Sequence, residues 1–597
     1  MARATEHHAT DGGSVKVSGS VGMGFQSRYT HARSYSDAMP SWDDQGNMLS
    51  LDGRIDNSRE LAHALQLEEV STTDSQILLA GFRKWGSDLF SQLVGEWALA
   101  LWAPGNGRLY LARDHAGSRT LFFYQNDDAI LWSTHLGTFF ANEQALPLDL
   151  EFAARYLACL PLRDVTPYKG IRSVLAAHYL IVEADRISQH AHWEWMPKER
   201  IRYKTDLDYE QHFFALFKQA VARRTSEGAP VLAQLSGGID SSSIVCMSDH
   251  IRRENGRSDL LDTLSFYDDT EPNWNERPYF TAIEKHRGKR GVHIDASFSN
   301  HALSIEGFAS HPTFFPIAYS TSQEQERELK AIYSHGNFRA LLSGVGGDEM
   351  LGGIPDPLPE LIDLFKSGRL VRFLGKAFEW CLVDRSPLIG TLVIVAKEAL
   401  ATRRPPTNHA SSIPSWINQS LRAQCIETLR LDIANQHPSG VSAVTTDNGS
   451  TWWTVTESLP HFLPDSPGRL EYRYPYLDKN LVNFLFRIPR EEIARPGHRR
   501  SLMRHALKEI VPSEVLNRRR KAFRVRAPLL AFQQSHDEID SLLSNSHIAS
   551  CGLIDEGAIR AALRQVSMGI DVRWWPWLTR AVAFELWLKT SSRYIRA

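Results

Sequence analysis

The stretch Leu235-Ser236-Gly237-Gly238-Ile239-Asp240-Ser241-Ser242-Ser243 decides how the rest of the chain is read. It follows an apolar run, Val231-Leu232-Ala233, that reads as a buried strand, and precedes Ile244-Val245-Cys246-Met247, which reads as the first turns of a helix. A strand, a glycine pair and a hydroxyl-rich helix start make an anion cradle, because free backbone N–H groups and the positive end of the helix dipole converge there. Gly237 and Gly238 let the backbone approach a ligand, and Ser236, Ser241 and Ser242 add hydroxyl donors. Asp240 faces a phosphate only with a divalent cation between them. A Walker loop is excluded, since its four-residue spacing and its Gly-Lys-Ser/Thr end are missing.

Working outward, strands and helices alternate. Residues 207–224 read as an amphipathic helix with Phe213, Phe214, Leu216, Phe217 and Val221 as its apolar side chains. Further strands are expected at 261–266 (ending in Ser265 and Phe266), 292–294 and 339–342. The last of these runs into a second glycine turn, Ser343-Gly344-Val345-Gly346-Gly347-Asp348. Such alternation predicts an α/β doubly wound parallel sheet whose ligand sits at the carboxyl ends of the strands, where both glycine turns fall. Beyond residue 355 the chain reads as mostly helical, with proline breaks between 403 and 414.

Residues 1–200 have a different character. Short alternating runs such as Trp97-Ala98-Leu99-Ala100-Leu101-Trp102 and Leu109-Tyr110-Leu111-Ala112 flank the turn Pro104-Gly105-Asn106-Gly107, and 121–124 and 130–133 form a second such pair. A helix over 75–85 intervenes. Two domains follow: an α+β domain over 1–200 with sheets inside, and an α/β domain with helical additions over 201–597.

Composition narrows the class further. A chain of 597 residues exceeds one compact core. A net charge of −2 suggests neither a nucleic-acid surface nor an anionic membrane as partner. Five scattered cysteines, never in CxxC spacing, indicate reduced thiols, no zinc site and a cytoplasmic protein. No signal peptide is evident. The most apolar window, Leu388 to Ala396, is about half a membrane span and is expected to be a buried helix segment.

The SGGxDSS stretch resembles the pyrophosphate-binding loop of ATP pyrophosphatases, and with Asp348 placed the chain is similar to the asparagine synthetase superfamily over nearly its whole length. Gly53-Arg54-Ile55-Asp56-Asn57, Gly95-Glu96-Trp97-Ala98 and Ala112-Arg113-Asp114-His115-Ala116-Gly117 resemble that family's glutamine-hydrolysing domain, an Ntn-type sandwich. The second glycine turn, Glu471-Tyr472-Arg473-Tyr474-Pro475-Tyr476-Leu477-Asp478 and the basic Arg518-Arg519-Arg520-Lys521-Ala522-Phe523 resemble its synthetase domain. One departure matters most: the family's glutaminase uses a cysteine directly after the initiator methionine, its free amine acting as base, and residue 2 here is alanine, with no cysteine before Cys159. The domain is therefore expected to be a degenerate amidotransferase. Superfamily members without the cysteine include β-lactam-forming synthetases and lasso peptide cyclases. Two segments resemble the lasso peptide macrolactam synthetases: Glu271-Pro272-Asn273-Trp274-Asn275-Glu276-Arg277-Pro278-Tyr279, and residues 346–357.

The resemblance implies ATP with its phosphates on Leu235 to Ser242, Mg²⁺ on Asp240 and Asp348, and nucleotide contacts from Ser265, Phe266, Ser343 and Gly344. It implies a precursor peptide as substrate, with a leader peptidase and a leader-recognition protein as partners. Glu471 matches a catalytic glutamate of the β-lactam synthetases, whose tyrosine partner is replaced here by Val345, so Glu471 either acts as base alone or only binds. Lys521, or Arg520 beside it, is the candidate for stabilising charge on the α-phosphate and acyl oxygen. Plainer readings stand beside these: Asp348 as a helix cap, Glu471 as a structural ion pair with Arg473, and Lys521 as one more solvated charge. The alternative function is an asparagine synthetase-like or β-lactam synthetase-like ligase acting on a small molecule.

Overall fold

The computed structural model describes residues 1–68, 71–141, 144–225, 228, 230–271, 273–297, 314–317, 323–353, 355–400, 413–436, 441–459, 470–518 and 526–596. Strands are numbered along the chain. The N-terminal domain is built on a six-stranded antiparallel sheet in the order β12 (Ile187–Ala191), β11 (His178–Val182), β6 (Arg108–Arg113), β5 (Gly95–Ala103), β4 (Met48–Ile55) and β3 (Ser41–Trp42). Its centre is apolar on both faces because both are covered. Trp97, Leu99 and Leu101 of β5 pack with Leu61, Ile77 and Leu78 from the helices Ser58–Leu65 and Asp74–Trp85. Ala98 and Ala100 point the other way, toward Phe123 and Trp132 of a smaller sheet, in the order β10 (Ile171–Ser173), β7 (Phe122–Gln125), β8 (Ile130–Ser133). The large/small alternation along one strand thus sets a helix layer on one side and a second sheet on the other. A separate hairpin joins β1 (Gly13–Ser18) to β2 (Val21–Gln26).

The second domain carries a five-stranded, all-parallel sheet in the order β15 (Val292–Asp295), β14 (Asp262–Tyr267), β13 (Val231–Gln234), β16 (Ala340–Leu342), β17 (Glu471–Arg473). From β13 the chain winds outward one way through β14 and β15, then returns to the other side for β16 and β17. The switch point therefore lies between β13 and β16, whose register pairs Val231 with Ala340 and Ala233 with Leu342. The helix Asp206–Arg224 is started by a capping box between Thr205 and Asp208 and buries Phe213, Phe217 and Val221 in the core shared with Val231, Ala233 and Leu342. The two domains are tied together at both ends: β9 (Leu146–Pro147) pairs with β18 (Ile595–Arg596) at the chain's end, and the buried His115 holds the Leu477 carbonyl through its ring nitrogen at 2.8 Å.

One strand goes unread and one expectation needs correction. Strand β17 goes unread as a strand in the sequence, because three residues are too few for an alternation to show. The window 388–396 does lie on a helix, Leu388–Leu400, but it is not a buried one: Val395 is buried, whereas Ile389 is 78% exposed and Val393 61% exposed. That helix is mostly apolar yet turns only part of its surface inward, against the helices Leu358–Lys366 and Leu370–Asp384. Among the described residues no helix is long and apolar enough to cross a membrane, and all five cysteines are free.

Candidate active site

The first glycine turn leaves β13 with Leu235 still in the sheet, its N–H donating to the Leu264 carbonyl of β14 at 2.8 Å. Gly237 then takes φ +72°, a left-handed conformation, and lies so close to the next helix that a Cβ there would fall 2.6 Å from the Phe280 nitrogen. The turn is braced by its own hydroxyls: the Ser241 Oγ accepts from the Ser236 N–H at 3.1 Å and lies 3.1 Å from the Ser236 Oγ, which accepts from the Gly238 N–H at 3.3 Å. The helix Ile239–Glu254 begins at Gly238 with no side-chain cap, so its first N–H groups are left to an external acceptor. Ser242 is buried with no hydrogen-bond partner for its hydroxyl.

The second turn leaves β16 beside the first. A Cβ on Gly344 would meet the Ser241 nitrogen at 3.3 Å, and one on Gly347 would fall 2.6 Å from the Asp240 carboxyl carbon. Gly347 leaves no room for a side chain between the turns, and Gly344 leaves little. Ser343 is buried, its N–H donating to the Arg473 carbonyl at 3.0 Å, and Ser265 and Phe266 stand at the carboxyl half of β14 alongside.

The two aspartates meet. The Arg500 guanidinium donates through one nitrogen, Nη2, to Asp240 Oδ2 at 2.7 Å and also to Asp348 Oδ1. One point in space is therefore within reach of a carboxylate oxygen from each turn, which suits an oxygen-seeking dication. Among the described residues no group of three or more His, Cys, Asp or Glu forms a complete metal cage. A magnesium ion held by Asp240 and Asp348 would take its other oxygens from phosphate and water, as this ion ordinarily does. Sequence reading missed Arg500; its only local signal is structural, a non-glycine residue at φ +53°.

Residues of the 271–279 segment and Phe280 after it wall this site. Tyr279 and Phe280 back onto Gly237, and Arg518 stacks on the Tyr279 ring at 4.0 Å while donating to the Gly237 carbonyl at 3.2 Å. Lys521 and Arg520 lie outside the described residues.

Glu471 is placed elsewhere. It opens β17 opposite Ala340, at the amino end of the sheet, whereas the glycine turns leave the carboxyl ends. Its carboxylate accepts from Thr30 Oγ1 at 2.6 Å, Arg54 Nη1 at 2.8 Å and Arg473 Nε at 2.7 Å, and pairs with Arg119 Nη2 at 2.8 Å. Burial pushes this carboxyl up, but Arg473, Arg119 and Arg54 together overcome it and hold it well below the usual carboxylate range. A base role is corrected accordingly: the group has no lone pair to spare at the site, and the ion pair with Arg473 is the reading that the geometry bears out. The same network continues through Arg224, which reaches Glu96 at 3.1 Å and Asp478 at 2.9 Å, so buried charges from both domains interlock.

A cavity of about 1130 Å³ is lined mostly by the N-terminal domain, with Thr30, His31, Asp74 and Arg119, and also by second-domain residues including Glu471. Ala2 lines it, and no cysteine is among the lining residues.

Fold and paired turns define the class: an α/β nucleotide-binding domain preceded by an amidotransferase-like sandwich. Residues 212–589 match the asparagine synthase family, and residues 1–193 match the glutamine amidotransferase domain. The chain belongs to the asparagine synthase family, whose members are ATP-dependent amide ligases. It is similar to the amidase chry2 of Gibberella zeae, at 23% identity over 91% of this chain and 86% of that protein. It is also similar to the amidase chyE of Penicillium rubens (23%, covering 84% and 80%) and to the glutamine-hydrolysing asparagine synthetase 3 of Bacillus subtilis (23%, covering 79% and 74%).

Proposed function

We propose that this ligase is a lasso peptide cyclase, which joins a side-chain carboxylate of a leaderless precursor peptide to the peptide's own N-terminal amine. The observation that carries the reading is that Glu276 and Tyr279, from the segment 271–279 that resembles lasso macrolactam synthetases, lie directly against the phosphate turn at Gly237. The cavity without a cysteine supports it, since an amine released from glutamine then has no source in this chain.

In the first step a carboxylate oxygen of the peptide attacks the α-phosphorus of ATP, and the bond to the bridging oxygen breaks to release pyrophosphate. The N–H groups that begin the helix Ile239–Glu254, with the hydroxyls of Ser236 and Ser241, receive the departing charge. Magnesium would supply Lewis-acid neutralisation of the phosphates between Asp240 and Asp348. In the second step the amine nitrogen attacks the acyl carbon, the acyl–phosphate bond breaks, AMP leaves and the amine's proton passes to solvent or phosphate. Holding the two peptide groups together contributes the largest share, up to about 7–11 kcal/mol of effective-molarity gain. A leader peptidase that frees the amine and a leader-recognition protein that delivers the precursor are the partners this reading requires.

The test is mass spectrometry of a candidate leaderless peptide incubated with the enzyme, ATP and Mg²⁺. The expected product is the peptide less one water, with one AMP formed per ring. Formation of asparagine from aspartate and ammonia, or a ring closed on a small molecule while peptides stay untouched, would overturn it in favour of the small-molecule ligase.

A further inference from the structure

Helix Leu370–Asp384 is apolar on two opposite faces. Phe373 and Ala377 point inward to the cluster shared with Leu361 and Val395, and Trp380 and Cys381 of the same helix are also buried. Val371, Leu374, Phe378 and Leu382 recur at three- and four-residue spacing on the other side, and are 88%, 51%, 53% and 63% exposed. The following helix, Leu388–Leu400, repeats the pattern: Val395 is turned in, while Ile389, Val393 and Leu400 form an outward stripe. The two helices pack against each other and against Leu358–Lys366, so each outward stripe faces away from the shared core. Singly exposed apolar residues are ordinary, but two outward apolar stripes on helices that pack together mark an interaction surface.

Its chemistry selects the occupant. These side chains stand proud of the helices, with Val371 and Ile389 almost wholly in solvent, as suits entry into a soft apolar phase. The helical pair carries a net positive charge, although Lys376 pairs with Glu379 and Arg372 with Glu491. Residues 366–400 carry six basic side chains (Lys366, Arg369, Arg372, Lys376, Arg385, Lys397) against three acidic ones (Glu379, Asp384, Glu398), in a chain whose overall charge is −2. Whole-chain charge, which argues against a membrane partner, averages this local excess away. We propose that the helical pair 370–400 docks the enzyme on an anionic lipid surface, its outward stripes entering the headgroup–acyl boundary and its basic flanks meeting lipid phosphates. The docking is peripheral and is independent of which amide the active site forms.

Flotation of the full-length protein with phospholipid vesicles tests this. The native chain should partition at least roughly tenfold better into vesicles of equal parts phosphatidylglycerol and phosphatidylcholine than into phosphatidylcholine alone, and less as salt rises. Val371→Glu/Ile389→Glu should lower binding to both by roughly tenfold or more. Arg369→Glu/Lys397→Glu should remove the preference for the anionic vesicles while sparing the rest. Unchanged melting and ATP binding show that each variant is folded. Native protein that stays out of the lipid, or variants that float as well as it does, would overturn the proposal. So would light scattering showing a native dimer that Val371→Glu/Ile389→Glu makes monomeric, since a second copy would then be what covers the face.

Discussion

Replacing Glu471 by glutamine separates a structural clamp from a catalytic base. The native carboxylate is buried and met by three guanidinium groups and the Thr30 hydroxyl. Glutamine keeps the volume but turns one acceptor oxygen into an NH₂ facing arginine donors, leaving buried cations uncompensated. Breaking a buried ion network in this way costs about 3–5 kcal/mol. At about 2–4 °C per kcal/mol for a unit of 150–250 residues, the first thermal transition should fall by on the order of 10 °C. Because Glu471 joins β17 to Arg54 and Arg119 of the N-terminal domain, the loss should also open the domain junction to limited proteolysis. The pH dependence follows from the sign of the shift. A carboxyl held below its unfolded value stabilises fully above that unfolded value and ceases to do so as pH falls through the depressed folded one. The difference between native and variant melting should therefore be full at neutral pH and shrink progressively once pH falls below the ordinary carboxylate range. Scanning fluorimetry across pH, beside ATP binding and turnover, is the assay. A Glu471→Gln protein that melts like the native one, binds ATP equally well and yet makes no product would refute this reasoning and return Glu471 to a catalytic role.

The active site makes further demands. Gly237→Ala should cost about 1–2 kcal/mol for the left-handed conformation and about 1–3 kcal/mol more for the contact with Phe280, read as weakened ATP binding by calorimetry. Asp240→Asn and Asp348→Asn should each lower AMP formation by on the order of 10²–10³-fold with little change in melting; undiminished turnover would remove them from the metal site. Arg500→Ala should tighten binding of Mn²⁺ alone, measured by its paramagnetic signal, because the guanidinium sits at the point where the carboxylates converge. Glutamine should yield no glutamate in a coupled assay, and any steady release would overturn the argument from the missing cysteine.

What the sequence made legible was whatever had a local pattern. The strand–turn–helix around Gly237 carries its own signal in glycines, hydroxyls and flanking apolar runs, and the structure places its residues beside the second glycine turn. Runs such as 97–102 and 109–112 announce a hairpin through alternation and the turn between them. Contacts made at long range were not legible. Glu471 looks catalytic in isolation because its partners Thr30, Arg54 and Arg119 stand more than 350 residues away in the chain. Arg500 meets Asp240 and Asp348 only once three separate segments have been folded together. The Leu388 window misled for a related reason: hydropathy reports that a helix could be buried, while the number of neighbours it finds decides whether it is.

The central claim, that ATP is split at its α-phosphate where two glycine turns bring Asp240 and Asp348 together, is tested most directly by pyrophosphate exchange. With a leaderless peptide whose N-terminal amine is blocked, labelled pyrophosphate should appear in ATP, and Asp240→Asn or Asp348→Asn should stop it. Formation of ADP and phosphate instead, or exchange that survives both substitutions, would contradict it.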